Sequence, residues 1–289
     1  MPDLPIVDTH VHLWDPTTYR MPWLDNEPVL NRPYGLADYR EQTAGLAVEA
    51  IVYLQVEVAP VYGLLEAQRA AALAREDPRI QAIVAWAPIE YGDLMRAYLD
   101  AVVAVDPRVK GVRRLLQYEP DPAFLLQPDF VRGLQILPEY GLSFDLCLAH
   151  RQLGNAIELA RRCPDTPIIL DHLAKPNIRE QVRHPWWEEI AELAALPNVV
   201  AKISGAVTDA DRERWTIDDL APYVGRVLEV FGEDRVLFGS DWPVMLRGTS
   251  YRRWVDTVDA LTQHFSPEAK RKLWADNARR VYRLPGAAG

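Results

Sequence analysis

Eight short runs of apolar, largely β-branched residues recur along this chain, and amphipathic stretches of helical length separate them. The runs are 6–11, 50–56, 80–85, 109–116, 142–148, 167–170, 199–203 and 236–239. Among the intervening stretches, 63–75 carries apolar residues at Leu64, Leu65, Ala67, Ala71 and Leu73, and 152–162 and 188–196 are similar. A late helix opens at Ser266-Pro267-Glu268, with a serine cap and proline in the first turn, and runs to about Tyr282. Strands that alternate with helices build a parallel sheet covered on its outer face. Eight such units in 289 residues predict one closed (β/α)8 barrel, a TIM barrel of the α/β class. A doubly wound open sheet is the competing architecture. It is disfavoured because no glycine-rich phosphate loop follows the first run, and because polar residues sit at the carboxyl ends of several different runs. No shift in composition splits the chain, so residues 1–289 are read as a single domain.

Charge and composition exclude several roles. A net charge of −9 with no offsetting basic cluster repels a phosphate backbone, so nucleic acid is not an expected partner. No apolar run approaches the ~18 residues of a membrane span. Met1-Pro2-Asp3-Leu4-Pro5 lacks the basic and apolar regions of a signal peptide. The two cysteines, Cys147 and Cys163, are too few for a disulfide framework and read as buried apolar groups. A cytoplasmic protein is expected, with homo-oligomerisation left open.

The connection after the first run is long, spanning about 13–36. It is rich in proline (Pro16, Pro22, Pro28, Pro33) and aromatics (Trp14, Tyr19, Trp23, Tyr34). In a barrel it lies over the mouth, either as a lid packed by its own aromatics or as a wall of the site.

The chemistry-bearing residues collect at the ends of the predicted strands. His10 and His12 are two apart on the first strand and so share a face. Alone, such a pair is a weak motif, and two surface histidines at a strand end are the alternative. Asp241 follows the eighth run, which neighbours the first in a closed barrel, so its carboxylate falls beside the two imidazoles. Two histidines and a carboxylate make either a divalent-metal site or a general base with histidine support. The alternative for Asp241 by itself is a helix-capping or turn aspartate, which the histidine pair across the seam disfavours. His172 ends the sixth strand, where it can serve as acid, base or oxyanion donor, or as a core histidine satisfied by backbone. Arg113 and Arg114 are adjacent, so one faces inward and can clamp a substrate oxygen. The other is expected to pair on the outer face with a helix acid. Lys202 is inward on a buried strand, which requires a polar site or a buried acid. Gln55 ends the second strand. Trp14, Trp23 and Trp242 are candidates to line a pocket for a ring. His150, His184 and His264 read as surface residues.

The segment Val7-Asp8-Thr9-His10-Val11-His12-Leu13-Trp14-Asp15-Pro16, with Pro22-Trp23-Leu24, resembles the opening of the family-2 amidohydrolases. So do Gly111-Val112-Arg113, Leu170-Asp171-His172-Leu173-Ala174-Lys175-Pro176, Phe238-Gly239-Ser240-Asp241-Trp242-Pro243, and Asn277-Ala278 with Arg280. The resemblance spans nearly the whole chain and is strongest to the sugar-lactonase branch, with its L-fucono-, L-rhamnono- and 4-sulfomuconolactonases. It implies a carboxylic ester hydrolase that opens a small lactone, in carbohydrate metabolism. Asp241 would take the proton of the attacking water, and His172 would match the strand-six histidine. One divalent ion, zinc by preference, would lie on His10, His12 and Asp241. Many metal-binding members supply a further histidine from strand five, where this chain reads Phe144-Asp145-Leu146-Cys147-Leu148. Catalysis without metal therefore stays open. Two rival readings are a metal-dependent decarboxylase or hydratase of the same superfamily and a non-catalytic sugar-binding barrel.

Overall fold

The computed structural model describes residues 4–285. Eight parallel strands form one sheet in sequence order. They are β1 (Ile6–Val11), β2 (Val48–Leu54), β3 (Ile80–Trp86), β4 (Val109–Arg113), β5 (Ser143–Leu146), β6 (Ile168–Leu170), β7 (Val199–Ile203) and β8 (Val236–Phe238). Each is followed by a helix: α1 (Leu36–Gln42), α2 (Gly63–Glu76), α3 (Arg96–Val103), α4 (Pro128–Ile136), α5 (Leu153–Arg162), α6 (Trp186–Ala194), α7 (Ile217–Phe231) and α8 (Tyr251–Leu261). This is the (β/α)8 barrel that the alternation predicts. β4, β5, β6 and β8 are shorter than their apolar runs, which continue into the flanking loops; β1 and β7 match theirs, β2 begins two residues earlier and β3 is one residue longer.

Alternation along the strands divides the core in two. One set, including Ile51, Tyr53, Ile83, Val112, Phe144, Leu170 and Phe238, packs beneath the helices. The other set, Val7, Ala50, Val52, Leu54, Ala82, Val84, Ile169 and Leu237, fills the barrel interior. Ala275, Ala278, Tyr282 and Leu284 join this inner set, so the closing segment 267–281 and the residues just after it plug one end of the barrel. That segment starts at the Ser266 cap, whose Oγ accepts from Ala269 N, but it is not one continuous α-helix. A π-helical turn at Lys272–Asp276 turns Trp274 onto Phe238, with ring centroids 4.4 Å apart.

β8 and β1 share no regular ladder. They are joined by a single bridge, Val11 with Trp242, and by bonds from Asp241 N to His10 O (2.9 Å) and from His12 N to Trp242 O (2.8 Å). Asp8 completes the seam. Its buried carboxylate accepts from Ser240 N (2.8 Å), Tyr39 Oη (2.9 Å) and Tyr251 Oη (2.9 Å). Asp8 therefore faces the helices, whereas His10, two residues on, faces the barrel interior. A register irregularity between Asp8 and Val11 makes that switch possible.

Glu66 on α2 performs a similar tie. Its Oε1 accepts from Val56 N (2.6 Å) and Tyr53 Oη (3.0 Å), which fixes the chain beyond β2. Burial raises its carboxyl to about 7, against the lowering effect of those two bonds. A folded-state value above the unfolded one means a stabilising contribution that is full below about pH 4.5 and is lost as pH rises through about 7. Glu66→Gln keeps both acceptor bonds and cannot ionise. It should be more stable than the wild type at pH 8 by about 2–3 kcal/mol, and the gap should close towards pH 4.5, as read by urea denaturation.

Candidate functional site

A cavity of about 670 Å³ opens at the carboxyl ends of the strands, with His12, Arg113, His172 and Asp241 among its lining residues. Backbone geometry aims these groups. Asp241 and the run His172 to Lys175 adopt φ between +48° and +63°. Non-glycine residues in this left-handed region are strained, and four in succession form a tight left-handed turn. Gly205, at φ +66°, lets the chain after β7 pass against the His172 ring; a Cβ there would lie 2.5 Å from Nδ1.

Three imidazoles surround one carboxylate oxygen. Asp241 Oδ1 lies 3.7 Å from His10 Nε2, 3.6 Å from His12 Nε2 and 3.8 Å from His172 Nε2. The outer hydrogen bonds determine where the protons sit. His12 Nδ1 faces Leu54 O at 3.0 Å, which accepts only, so Nδ1 carries the proton and Nε2 is a bare lone pair. Arg113 Nη1 donates to His10 Nε2 at 3.2 Å; arginine only donates, so this Nε2 is also bare, while His10 Nδ1 lies 3.3 Å from both Asp171 Oδ1 and Lys202 Nζ. His172 Nδ1 bonds Ser204 Oγ at 2.9 Å. Burial, reinforced by Lys202, holds His10 well below the usual imidazole range; burial and then His10 do the same to His172. Both are neutral at neutral pH.

The donors suit a divalent ion. His10, His12 and Asp241 offer ligand atoms all within 4.8 Å of one another. Tetrahedral zinc, with bonds of about 2.0–2.1 Å, needs ligand atoms about 3.3–3.4 Å apart, only a few tenths of an ångström closer than the spacings above. His12 further has the outer bond that orients a metal-ligating imidazole. A metal and Arg113 would compete for the His10 lone pair. Asp145 takes no part. It is fully buried below the site, 3.1 Å from Lys202 Nζ and 2.9 Å from Tyr282 Oη.

Other expected contacts are redistributed. Arg113 is the inward arginine; it crosses the barrel to Gln55 O (2.6 Å) and reaches Asp171 Oδ2 (3.4 Å). Arg114 does not go to the outer face. It also lines the cavity and pairs there with Glu90 (2.9 Å) and Glu119 (2.6 Å), acids from the loops after β3 and β4. Trp14 and Trp23 lie on the wall, edge to face at 5.4 Å. Gln55, Lys202 and Trp242 do not line it. The Gln55 amide is taken up by Glu57. Lys202 is consumed by Asp145 and by Asp171 (3.0 Å). Trp242 is fully buried between Tyr34 and Tyr39. His150, expected on the surface, is half-buried on the cavity wall. The wall further contains Glu27, Glu57, Lys175, Asp209, Arg212 and Arg247, none of which lies in a recognisable motif except Lys175. Their common signal is position in the loops that follow β1, β2, β6, β7 and β8.

The amidohydrolase family profile matches residues 7–284. The L-fucono-1,5-lactonase of Burkholderia multivorans is 32% identical over 98% of this chain and 97% of its own length. The L-rhamnono-gamma-lactonase of Scheffersomyces stipitis is 23% identical over 96% of this chain and 98% of its own. A crystal structure of an amidohydrolase from Burkholderia multivorans with bound zinc superposes with a TM-score of 0.88 at 31% identity, covering 97% of this chain and 100% of that one.

Two substitutions test the site. His12→Ala removes one of three donors and should weaken zinc binding by about 10²-fold or more, measured by chelator competition. Gly205→Ala forces a side chain against His172 at a left-handed position. It should cost about 1–3 kcal/mol in a thermal melt and lower turnover well beyond what that instability explains.

Proposed function

This chain belongs to the amidohydrolase family, and on that premise we propose that it hydrolyses a small sugar lactone to the open hydroxy acid, with Asp241 as the base. The observation that carries the reading is the Asp241 carboxylate at the base of the cavity, with three imidazole nitrogens 3.6–3.8 Å from one oxygen. Its full-length similarity to lactonases supports the substrate class.

Water held beside Asp241 loses a proton to that carboxylate as its oxygen attacks the lactone carbonyl. The tetrahedral oxyanion needs a donor. With Ser204 Oγ–H donating to Nδ1 of His172, the His172 proton sits on Nε2 and faces the space beside Asp241. Arg113, buried and cationic, adds positive potential close by. The ring carbon–oxygen bond then breaks, and the departing alkoxide takes the proton back from Asp241. An alkoxide held next to a protonated carboxyl needs no further acid. Zinc, when held by His10, His12 and Asp241, would polarise the carbonyl and acidify water. Trp14 and Trp23 offer apolar faces to the C–H face of a sugar ring.

Hydrolysis of an aldonolactone panel, followed with a pH indicator before chelation, after it and after zinc reloading, tests the reading. Rates no higher than spontaneous hydrolysis under every condition would overturn it. On any active lactone, Asp241→Asn should lose about 10²–10⁴-fold in kcat while keeping its melting temperature, and His172→Gln about 10²–10³-fold.

A further inference from the structure

Lys175 and Asp209 face each other on the cavity wall without meeting. Lys175 Nζ and Asp209 Oδ1 are 4.0 Å apart, and both side chains are largely buried. Among the described residues neither side chain forms a hydrogen bond, and Asp209 Oδ2 is buried with no partner. Other ion pairs on the same wall are closed: Arg114 meets Glu119 at 2.6 Å and Arg247 meets Glu27 at 2.7 Å.

Backbone geometry sets the gap. Lys175 ends the left-handed turn after β6, at φ +48°, and its N donates to His172 O at 2.8 Å. Asp209 ends the turn Ala206–Asp209 after β7, and its carbonyl accepts from Arg179 N at 3.0 Å. Two loops tied to each other therefore fix the pair, and the turn that aims His172 also aims Lys175.

We infer that Lys175 and Asp209 together read one hydroxyl of the substrate, the one on the carbon next to the lactone carbonyl. The inference rests on the lactonase reading and narrows it to lactones whose 2-hydroxyl is free.

The gap selects the chemistry of the group. An oxygen about 2.8 Å from each atom fits between an ammonium and a carboxylate that are 4.0 Å apart. It must accept from Lys175 and donate to Asp209 at once. A hydroxyl does both, whereas a carboxylate only accepts and an ammonium only donates. A hydroxyl also leaves the charge of the pair balanced. The neighbouring charges locate the group along the substrate. At Asp209, burial raises the carboxyl, Lys175 opposes it, and Asp241 raises it further, against Arg247 and Arg212. At Lys175, burial is outweighed by Asp209 and then by further groups, Asp241 among them; the same ammonium lowers His172 and His10. The pair thus lies within electrostatic reach of Asp241 and His172, where the carbonyl reacts, and a hydroxyl held there belongs beside the carbonyl and not at the far end of the sugar. A lactone with C–H at that carbon would displace water from both charged groups and return no hydrogen bond.

The test compares the aldonolactone that the wild type opens fastest with its 2-deoxy counterpart of the same ring size, each rate divided by that lactone's hydroxide-catalysed rate. The wild type should favour the 2-hydroxy lactone by about 10²-fold in kcat/KM. Lys175→Met should bring the two within about threefold of each other, by slowing the 2-hydroxy lactone and sparing the other. Asp209→Ala, which has no side-chain hydrogen bond to lose, should do the same and carries the test alone should Lys175→Met fail to fold. No preference in the wild type, or an equal loss for both lactones in the variants, would overturn the assignment. If no lactone is turned over, the lactonase reading falls. The hydroxyl site then stands only if calorimetry shows the 2-hydroxy lactone binding the wild type more tightly than its 2-deoxy counterpart and Asp209→Ala removes that advantage.

Discussion

Closure of the barrel between β8 and β1 is the constraint on which the site depends. β8 is only three residues long, and its neighbour across the seam is held by one bridge and a few bonds. The buried Asp8 carboxylate compensates by accepting from Ser240 N on one side and from Tyr39 and Tyr251 behind. Ser240 immediately precedes Asp241, and His10 O accepts from Asp241 N. The contacts that close the barrel are therefore the same contacts that set the distance from base to imidazole. A fold-stabilising network and a catalytic geometry share one short stretch of backbone, which explains why a carboxylate is tolerated at a position fully removed from water. Four donors, His10 N among them, reduce but do not cancel the desolvation that raises its pKa.

The barrel interior beneath the cavity solves a second charge problem. Lys202, Asp145 and Asp171 are entirely buried, and removing any one partner would strand the others in low dielectric. Burial raises Asp145 to about 6, whereas Lys202 and Arg113 outweigh burial at Asp171 and hold it low. Asp171 is thus the carboxylate that stays charged, and its Oδ1 lies 3.3 Å from His10 Nδ1. Tyr282, from the segment that plugs the barrel, donates to Asp145 and completes the stack. The end of the chain thereby reaches the site through two intermediaries.

The architecture was legible because strand and helix periods differ and repeat eight times; the inward pair His10 and His12 and the approach of Asp241 follow from period two and from ring closure. The sequence could not reveal the register irregularity that sends Asp8 outward and His10 inward, since both have the same parity. Nor could alternation decide the fate of Lys202. An inward lysine fits a substrate site or a buried acid equally, and only the position of Asp145 on β5 and of Asp171 just beyond β6 decides it. Gln55 and Trp242 lie at strand ends as expected but turn away from the cavity, one onto Glu57 and the other into the seam. The wall residues Asp209, Arg212 and Arg247 sit in irregular loops, where no periodicity relates sequence position to direction.

His10 illustrates how little freedom the site leaves its protons. Its Nδ1 sits 3.3 Å from both Asp171 Oδ1 and Lys202 Nζ, and its Nε2 lone pair faces Arg113 and Asp241. Burial and two flanking cations keep the ring neutral, so His10 is a poor proton acceptor from water even though it is central. Asp241 differs in that its neighbours are bare or weakly donating nitrogens, and one of its oxygens lies on the cavity wall. In the proposed hydrolysis the proton of the attacking water would therefore go to Asp241. His10 and His12 contribute by presenting lone pairs, to a cation or to Arg113, rather than by exchanging protons themselves. This division of labour holds whichever cation occupies the His10 lone pair. In the proposed reaction it leaves the base function to Asp241 and the imidazoles to set the field in which that carboxylate works.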